Sequence, residues 1–334
     1  MRNYIRFFYL LIIIIALGVL LSPLISLFLP EKLRHHTYQR LMFNAIVDRE
    51  TKGCKNKEEK ILALFNYVID HEFAQGIPYS CKPLESLIYG EAYCDFQART
   101  LNLLLAIAGV PSRYAMLLDE NGISPHTVNE VFLYDKWCVF DTTMRVVFKD
   151  SKGFFSLEEL SYNPELLLNV ENINVVKQND IAEYENYVAL LKSVLSVKNG
   201  PRRSKPYIYQ AHIFDNIADI YFKIFKNSFV NFYQDIYLVK NKKQAQSEDS
   251  SLFYSARSYH LAYRLALALQ MYDIVLNKYP ESRYRADALF FKSLLYYENN
   301  DYAKAIALLK LILEKEPVKW RGAVNYYLTK MKGF

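Results

Sequence analysis

GEAYCDFQARTLNLLLAIAGVPSRYAMLLDENGISPHTVNEVFLYDKWCVFDTT, residues 90–143, puts a cysteine at the start of a helical pattern, a histidine at the start of a strand pattern and an aspartate at the end of the next strand. Phe96, Leu101, Leu104, Leu105 and Ala108 recur at helical spacing, and Gly109 with Pro111 supplies a stop, so the spacing predicts a helix over 94–108. Cys94 then sits in the first turn, where unpaired N–H groups and the positive end of the helix dipole favour a thiolate and could hold a developing oxyanion. A thiol catalyst also needs a base within reach and a third group that fixes the base. His126 and Asp141 are the candidates for those two places. They lie on a predicted hairpin, with strands over 127–133 and 137–140 rich in β-branched and aromatic residues. With Asp135 and Lys136 as the turn, Tyr134 pairs with Trp137 and Asp141 falls opposite Glu130, too far from His126. On that register a wider turn or a bulge is needed for the two to touch.

Several linked phrases surround these three residues. Gly90 stands four residues before Cys94, AGVPSR fills 108–113, Glu130 and Val131 follow His126, and WCVFDTT at 137–143 carries Asp141. Together they resemble the transglutaminase-like superfamily core, over roughly residues 55–145. The resemblance implies an α+β fold with a papain-like core, in which the nucleophile opens a helix packed on an antiparallel sheet. It also implies Cys94 as nucleophile, His126 as base and Asp141 as the residue that orients the base. Thr127 and Val128 stand where the family usually has a small or aromatic residue after its histidine, and Thr142 replaces the usual proline.

Upstream, residues 7–30 form an uncharged apolar run, long enough as a helix to span a hydrocarbon core of ~30 Å. The expectation is an uncleaved single-pass N-terminal transmembrane helix (anchor 1–30), with the body outside the cytoplasm. Residues 31–55 read as a polar, basic juxtamembrane linker, in which the adjacent His35 and His36 would point to different faces of a helix. Ile61, Leu64, Phe65, Val68 and Ile69 predict a helix over 56–72, expected beside the Cys94 helix in a catalytic domain over 56–160. The following loop, with Gly76, Pro78 and Pro83, leads to Gly90 and is placed to wall the cleft, while Tyr93, one of 28 tyrosines, is read as ordinary packing rather than a substrate contact. Cys54, Cys81, Cys94 and Cys138 match no zinc spacing. In an oxidising compartment Cys54 could pair with Cys81, while Cys138 belongs to the core.

Downstream, residues 161–240 read as a helical connecting region. It has helices over 157–168 and 181–197, a basic break at 200–206 and an aromatic amphipathic stretch over 208–239. From 252 to 332 a fixed lag of 37 residues relates Ala256 to Ser293, Tyr259 to Tyr296, Ala268 to Ala305 and Pro280 to Pro317. This part resembles the tetratricopeptide repeat, which implies an all-α helical repeat domain with a face for a partner or substrate protein.

A net charge of +6 and the absence of a nucleic-acid motif give no reason to expect nucleic acid. No cofactor or metal is expected, and the acidic calcium-loop pattern is absent. The expected function is a membrane-anchored thiol enzyme that cleaves amide bonds of a protein or peptide through a thioester, a cysteine protease or amidase. The alternatives are a cross-linking acyltransferase and a non-catalytic scaffold that uses the repeats.

Overall fold

The computed structural model describes all residues except 1, 29, 74–81, 169–180, 197–202, 242–246, 316–318 and 332–334. It divides into two compact units: Met1–Ile46 with Ala211–Glu248, and Val47–Gln210 with Asp249–Phe334.

The first unit holds helix α1 (Arg2–Phe28), most of α2 (Glu31–Glu50) and a long C-terminal helical stretch (Ile213–Asn241). Among the described residues no helix is long and apolar enough to cross a membrane, so the transmembrane helix expected over 7–30 is not found. Residue 29 and the side chains of 15, 16 and 19–27 lie outside the described residues, and the side chains that remain fall short of the ~20 a span requires. The stretch read as a polar linker is instead a helix. Its basic residues hide an apolar stripe of Tyr38, Leu41, Met42 and Ile46, all fully buried, with Tyr237 stacked on Tyr38 at 4.1 Å. Arg40 donates a bidentate pair to Asp219 at 2.8 and 2.8 Å, which is how a buried guanidinium becomes tolerable. Within Ile213–Asn241 the backbone breaks at Lys226 (φ 50°), so the aromatic stretch forms two helices joined at a kink.

The second unit begins with α3 (Lys57–His71), where Asn56 accepts the Glu59 N–H as an N-cap. Then come α4 (Pro83–Tyr89) and α5 (Cys94–Ile107). Four antiparallel strands follow in spatial order: β1 (Ser112–Leu117), β2 (His126–Leu133), β3 (Lys136–Asp141) and β4 (Val146–Val147). Alternation gives the sheet two faces. One packs on α5, where Asn129 donates to the Ala98 carbonyl at 2.8 Å. The other presents Leu117, Val128, Val139 and Val146, covered by Leu160, Leu167 and a helix, Ile181–Leu195, that contributes Tyr187, Val188 and Leu191. The helix expected over 157–168 is split: α6 (Leu157–Tyr162) stops at Asn163, and Pro164 opens a separate 3₁₀ turn, Pro164–Leu168.

The C-terminal part is all helix. Two helical pairs, Glu248–Leu261 with Leu265–Lys278 and Arg285–Glu298 with Tyr302–Lys315, are followed by Arg321–Lys330. Residues related by the 37-residue lag occupy equal depths. Ala268 and Ala305 are both fully buried, and Ala256 and Ser293 are both within 1 % of it. Pro317 lies outside the described residues.

These helices build one core with the stretch that precedes Cys94. Phe73 joins Phe253, Phe290, Phe291 and Trp320 in a single cluster. Its backbone holds the approach to Cys94, donating N–H to Gly90 O at 2.9 Å and accepting from Ala92 N–H at 3.1 Å. Gly90 ends α4 in the left-handed conformation (φ 70°), and a Cβ built there would lie 2.2 Å from the Phe291 ring. Arg257, fully buried, donates to Ile88 O at 3.0 Å and Leu87 O at 2.7 Å and lies 3.6 Å above the Phe291 ring. It thereby satisfies carbonyls at the end of α4.

Candidate active site

Cys94 opens α5 and is half-buried, with Tyr93 before it as an N-cap whose side chain makes no cap bond. Gln97 and Thr100, on the next turn, tie α5 to the end of α3. Gln97 donates to Glu72 O at 3.2 Å and Thr100 to the Glu72 carboxyl at 2.9 Å. Burial pushes that carboxyl well above its ordinary value.

The hairpin brings the other two residues together by a turn one residue earlier than the sequence suggested. Tyr134 and Asp135 occupy it, both with positive φ (52° and 59°), so Leu133 pairs with Lys136 and Phe132 with Trp137. This is the two-residue turn that matches strand twist. Moving the turn by one residue moves the pairing by two. Asp141 therefore follows the Asn129–Phe140 pair and falls opposite Val128, two residues from His126 and on the same face. That diagonal is within reach of an imidazole and a carboxylate, and no bulge is required. Tyrosine rarely adopts positive φ, which is why the sequence pointed to Asp135–Lys136 instead.

His126 Nε2 lies 2.5 Å from Asp141 Oδ2, and both residues are buried. The other carboxylate oxygen accepts the N–H groups of Thr143 and Met144 at 3.0 and 3.0 Å. Burial alone would raise the Asp141 value. The His126 charge and hydrogen bond, the Met144 N–H and the Tyr187 hydroxyl together hold it below the usual carboxylate range. For His126 burial works downward, but the Asp141 charge and hydrogen bond, with Cys94 beside the ring, push it up to about 10. With Nε2 on Asp141, Nδ1 is the nitrogen left for the cysteine side. The three expected residues thus meet around one imidazole. The residue that sequence reading missed is Tyr187, whose hydroxyl donates to Asp141 Oδ2 at 2.5 Å from 46 positions downstream. Its trace in the sequence is the helical pattern over 181–197 that carries it.

The remaining cysteines differ from Cys94 in surroundings. Cys138 is fully buried in β3, and burial pushes its thiol up to about 11. Cys54 carries a free thiol that donates to Glu50 O at 3.8 Å, and Cys81, its suggested partner, lies outside the described residues. Among the described residues no group of histidine, cysteine and carboxylate side chains could hold a metal ion.

The ion pair has a consequence for stability. His126 titrates near 6.5 when unfolded and near 10 when folded, so its contribution is complete below pH 6.5 and is lost as pH rises through 10. Asp141 has the opposite sign: its contribution is complete above the ordinary carboxylate value and is lost as pH falls through the depressed one. Thermal melts should therefore show a decline between pH 7 and pH 10 that is absent in His126→Gln. Parallel curves for the two proteins would show that the imidazolium does not stabilise the fold.

No curated protein and no solved structure matches the chain. A family model described as the transglutaminase-like superfamily matches residues 44–142, a range that includes α5, His126 and Asp141 and ends one residue past β3. The match supports a transglutaminase-like core over residues 44–142, and the helical C-terminal region lies outside it.

Proposed function

We propose that this protein is a transglutaminase-like thiol enzyme that acts on amide bonds of proteins or peptides. Cys94 is the nucleophile, His126 the general base and acid, and Asp141 the group that fixes and charges the imidazole. The observation that carries the reading is the buried His126–Asp141 pair, placed beside a cysteine that opens a helix. A histidine that is protonated at neutral pH and faces a thiol favours the thiolate. The first-turn N–H groups of α5, left without a side-chain cap, can hold the oxyanion of the tetrahedral intermediate.

Attack of Cys94 Sγ on the amide carbonyl forms the C–S bond. Collapse of the intermediate breaks the C–N bond as His126 gives its proton to the leaving amine, and a thioester remains. Water activated by the now neutral His126 then releases the acid. Hydrolysis is favoured over transfer to a lysine amine because no second-substrate feature accompanies the triad.

Residues 252–332 are read as tetratricopeptide-like, on the strength of the 37-residue lag and the matched burial of its described members. One of their surfaces is used by the catalytic core through Phe291, Arg257 and Trp320. The remaining surface is the place for a partner or substrate protein.

The test is labelling of the full chain with iodoacetamide across pH, beside Cys94→Ala, followed by incubation with unstructured peptides and detection of new termini. Rapid labelling at pH 6 that vanishes in Cys94→Ala, together with peptide cleavage, is expected. Crosslinked peptides without new termini would move the assignment to an acyltransferase. Slow labelling and no products would leave a scaffold.

A further inference from the structure

We propose that Tyr187 is a positioning residue of this site, locking the Asp141 carboxylate and walling the His126 ring so that the imidazole keeps its other nitrogen toward Cys94. The proposal rests on the triad reading above and adds a fourth member, which lies outside the matched residues 44–142.

Three observations converge on it. The Tyr187 hydroxyl and His126 Nε2 reach the same oxygen, Asp141 Oδ2, each at 2.5 Å. With Thr143 and Met144 on Oδ1, the carboxylate receives four donors, two on each oxygen, and has no rotation left to make. The Tyr187 ring also stands edge-on to the imidazole, 5.5 Å between centroids at 76°, so the imidazole is fixed by an acceptor at one edge and a wall at its flank. The depth of the hydroxyl is set in turn by packing, because the neighbours of Tyr187 on its helix, Val188 and Leu191, seat on Leu117, Val128, Val139 and Val146.

A buried phenol needs an acceptor, and a purely structural tyrosine would use Asp141 merely for that. The two roles differ in what they do to His126. Two donors on one oxygen compete, so the phenol withholds part of the carboxylate charge from the imidazolium. Removing the hydroxyl alone makes Oδ2 the stronger acceptor for His126, and the imidazole then holds its proton more tightly. Among the described residues, the groups that act on the ring are Asp141 from β3, Cys94 from α5 and Tyr187 itself, so a change in His126 titration in Tyr187→Phe reports on this contact.

The experiment uses the full chain with ¹⁵N-labelled histidine. It follows the His126 ring nitrogens by NMR across pH, and alkylation of Cys94 by iodoacetamide at pH 7. Tyr187→Phe, which keeps the ring, is expected to raise the His126 midpoint by roughly one pH unit. Tyr187→Ala, which also removes the wall, is expected to slow Cys94 alkylation about tenfold as the imidazole gains rotamers. A His126 midpoint in Tyr187→Phe within ~0.2 units of the parent, outside the shift a charged hydrogen bond produces, would overturn the proposal and leave the triad standing. Cys94 labelling in the parent no faster than that of Cys54 would overturn both.

Discussion

His126→Ala is expected to slow alkylation of Cys94 at pH 6 by about thirtyfold. A thiol without a partner, with an ordinary value near 8.5, is ionised to about 0.3 % at that pH, so loss of an ion pair that keeps it ionised costs about 300-fold in thiolate. Part of this returns, because a thiolate of low basicity is also a weaker nucleophile, by about tenfold over two to three units. The imidazole of the parent, pushed up to about 10, is charged at pH 6 and can act on the thiol beside it. Above pH 9 most of any thiol is ionised, so the two rate profiles should cross, the variant reacting up to about tenfold faster because its thiolate is the more basic nucleophile. Equal rates at pH 6 would remove His126 from the chemistry. Asp141→Asn should reproduce most of the effect by a different route: the ring stays, but the charge that raises it is gone.

Gly90→Ala should cost about 3 kcal/mol of stability, from strain in the left-handed conformation and from overpacking. The new methyl would sit 2.2 Å from the Phe291 ring. That ring cannot retreat. It is fully buried, with the Arg257 guanidinium 3.6 Å from one face and the Trp320 ring 5.3 Å away at 75°. Gly109→Ala is the control, since Gly109 also has positive φ (72°) but no atom within 4 Å of an added methyl, and it should cost only about 1 kcal/mol. Urea unfolding of both variants separates the strain, which they share, from the clash, which only Gly90 has. Equal losses would mean that the helical region does not press on the approach to Cys94. Cys94 alkylation in folded Gly90→Ala should also slow, because Gly90 carries the backbone bonds that set the path to Cys94.

Much of this site could be read from local pattern. The helix from Cys94 was legible because its apolar spacing and its glycine stop are contained in about fifteen residues. The strands around His126 and Asp141 were legible for the same reason, by alternation. The register between them was not, because it depends on Tyr134 entering a backbone region that its residue type disfavours; there the pairing of two strands outweighs the preference of one residue. The helix Glu31–Glu50 was hidden because charged residues and two histidines are interspersed with its apolar ones, whereas burial follows the stripe of Tyr38, Leu41 and Met42. Tyr187 was out of reach for a third reason. Its contact with Asp141 is made by the packing of a distant helix, and no local spacing encodes it.

The division of the chain has a consequence for how the protein is made. Each unit is assembled from two separated stretches, and Ala211–Glu248 interrupts the second unit between the part that holds the four-stranded sheet and the helical part. On a ribosome Cys94, His126 and Asp141 emerge long before Phe253, Phe291 and Trp320, which complete the core around Phe73. A nascent chain stalled near residue 210 would hold Cys94, His126 and Asp141 but lack the wall that Phe291 gives Gly90. The surroundings of Cys94 are thus completed only after the residues through Trp320 have been made, so this cysteine stays incompletely packed while more than two hundred further residues are added.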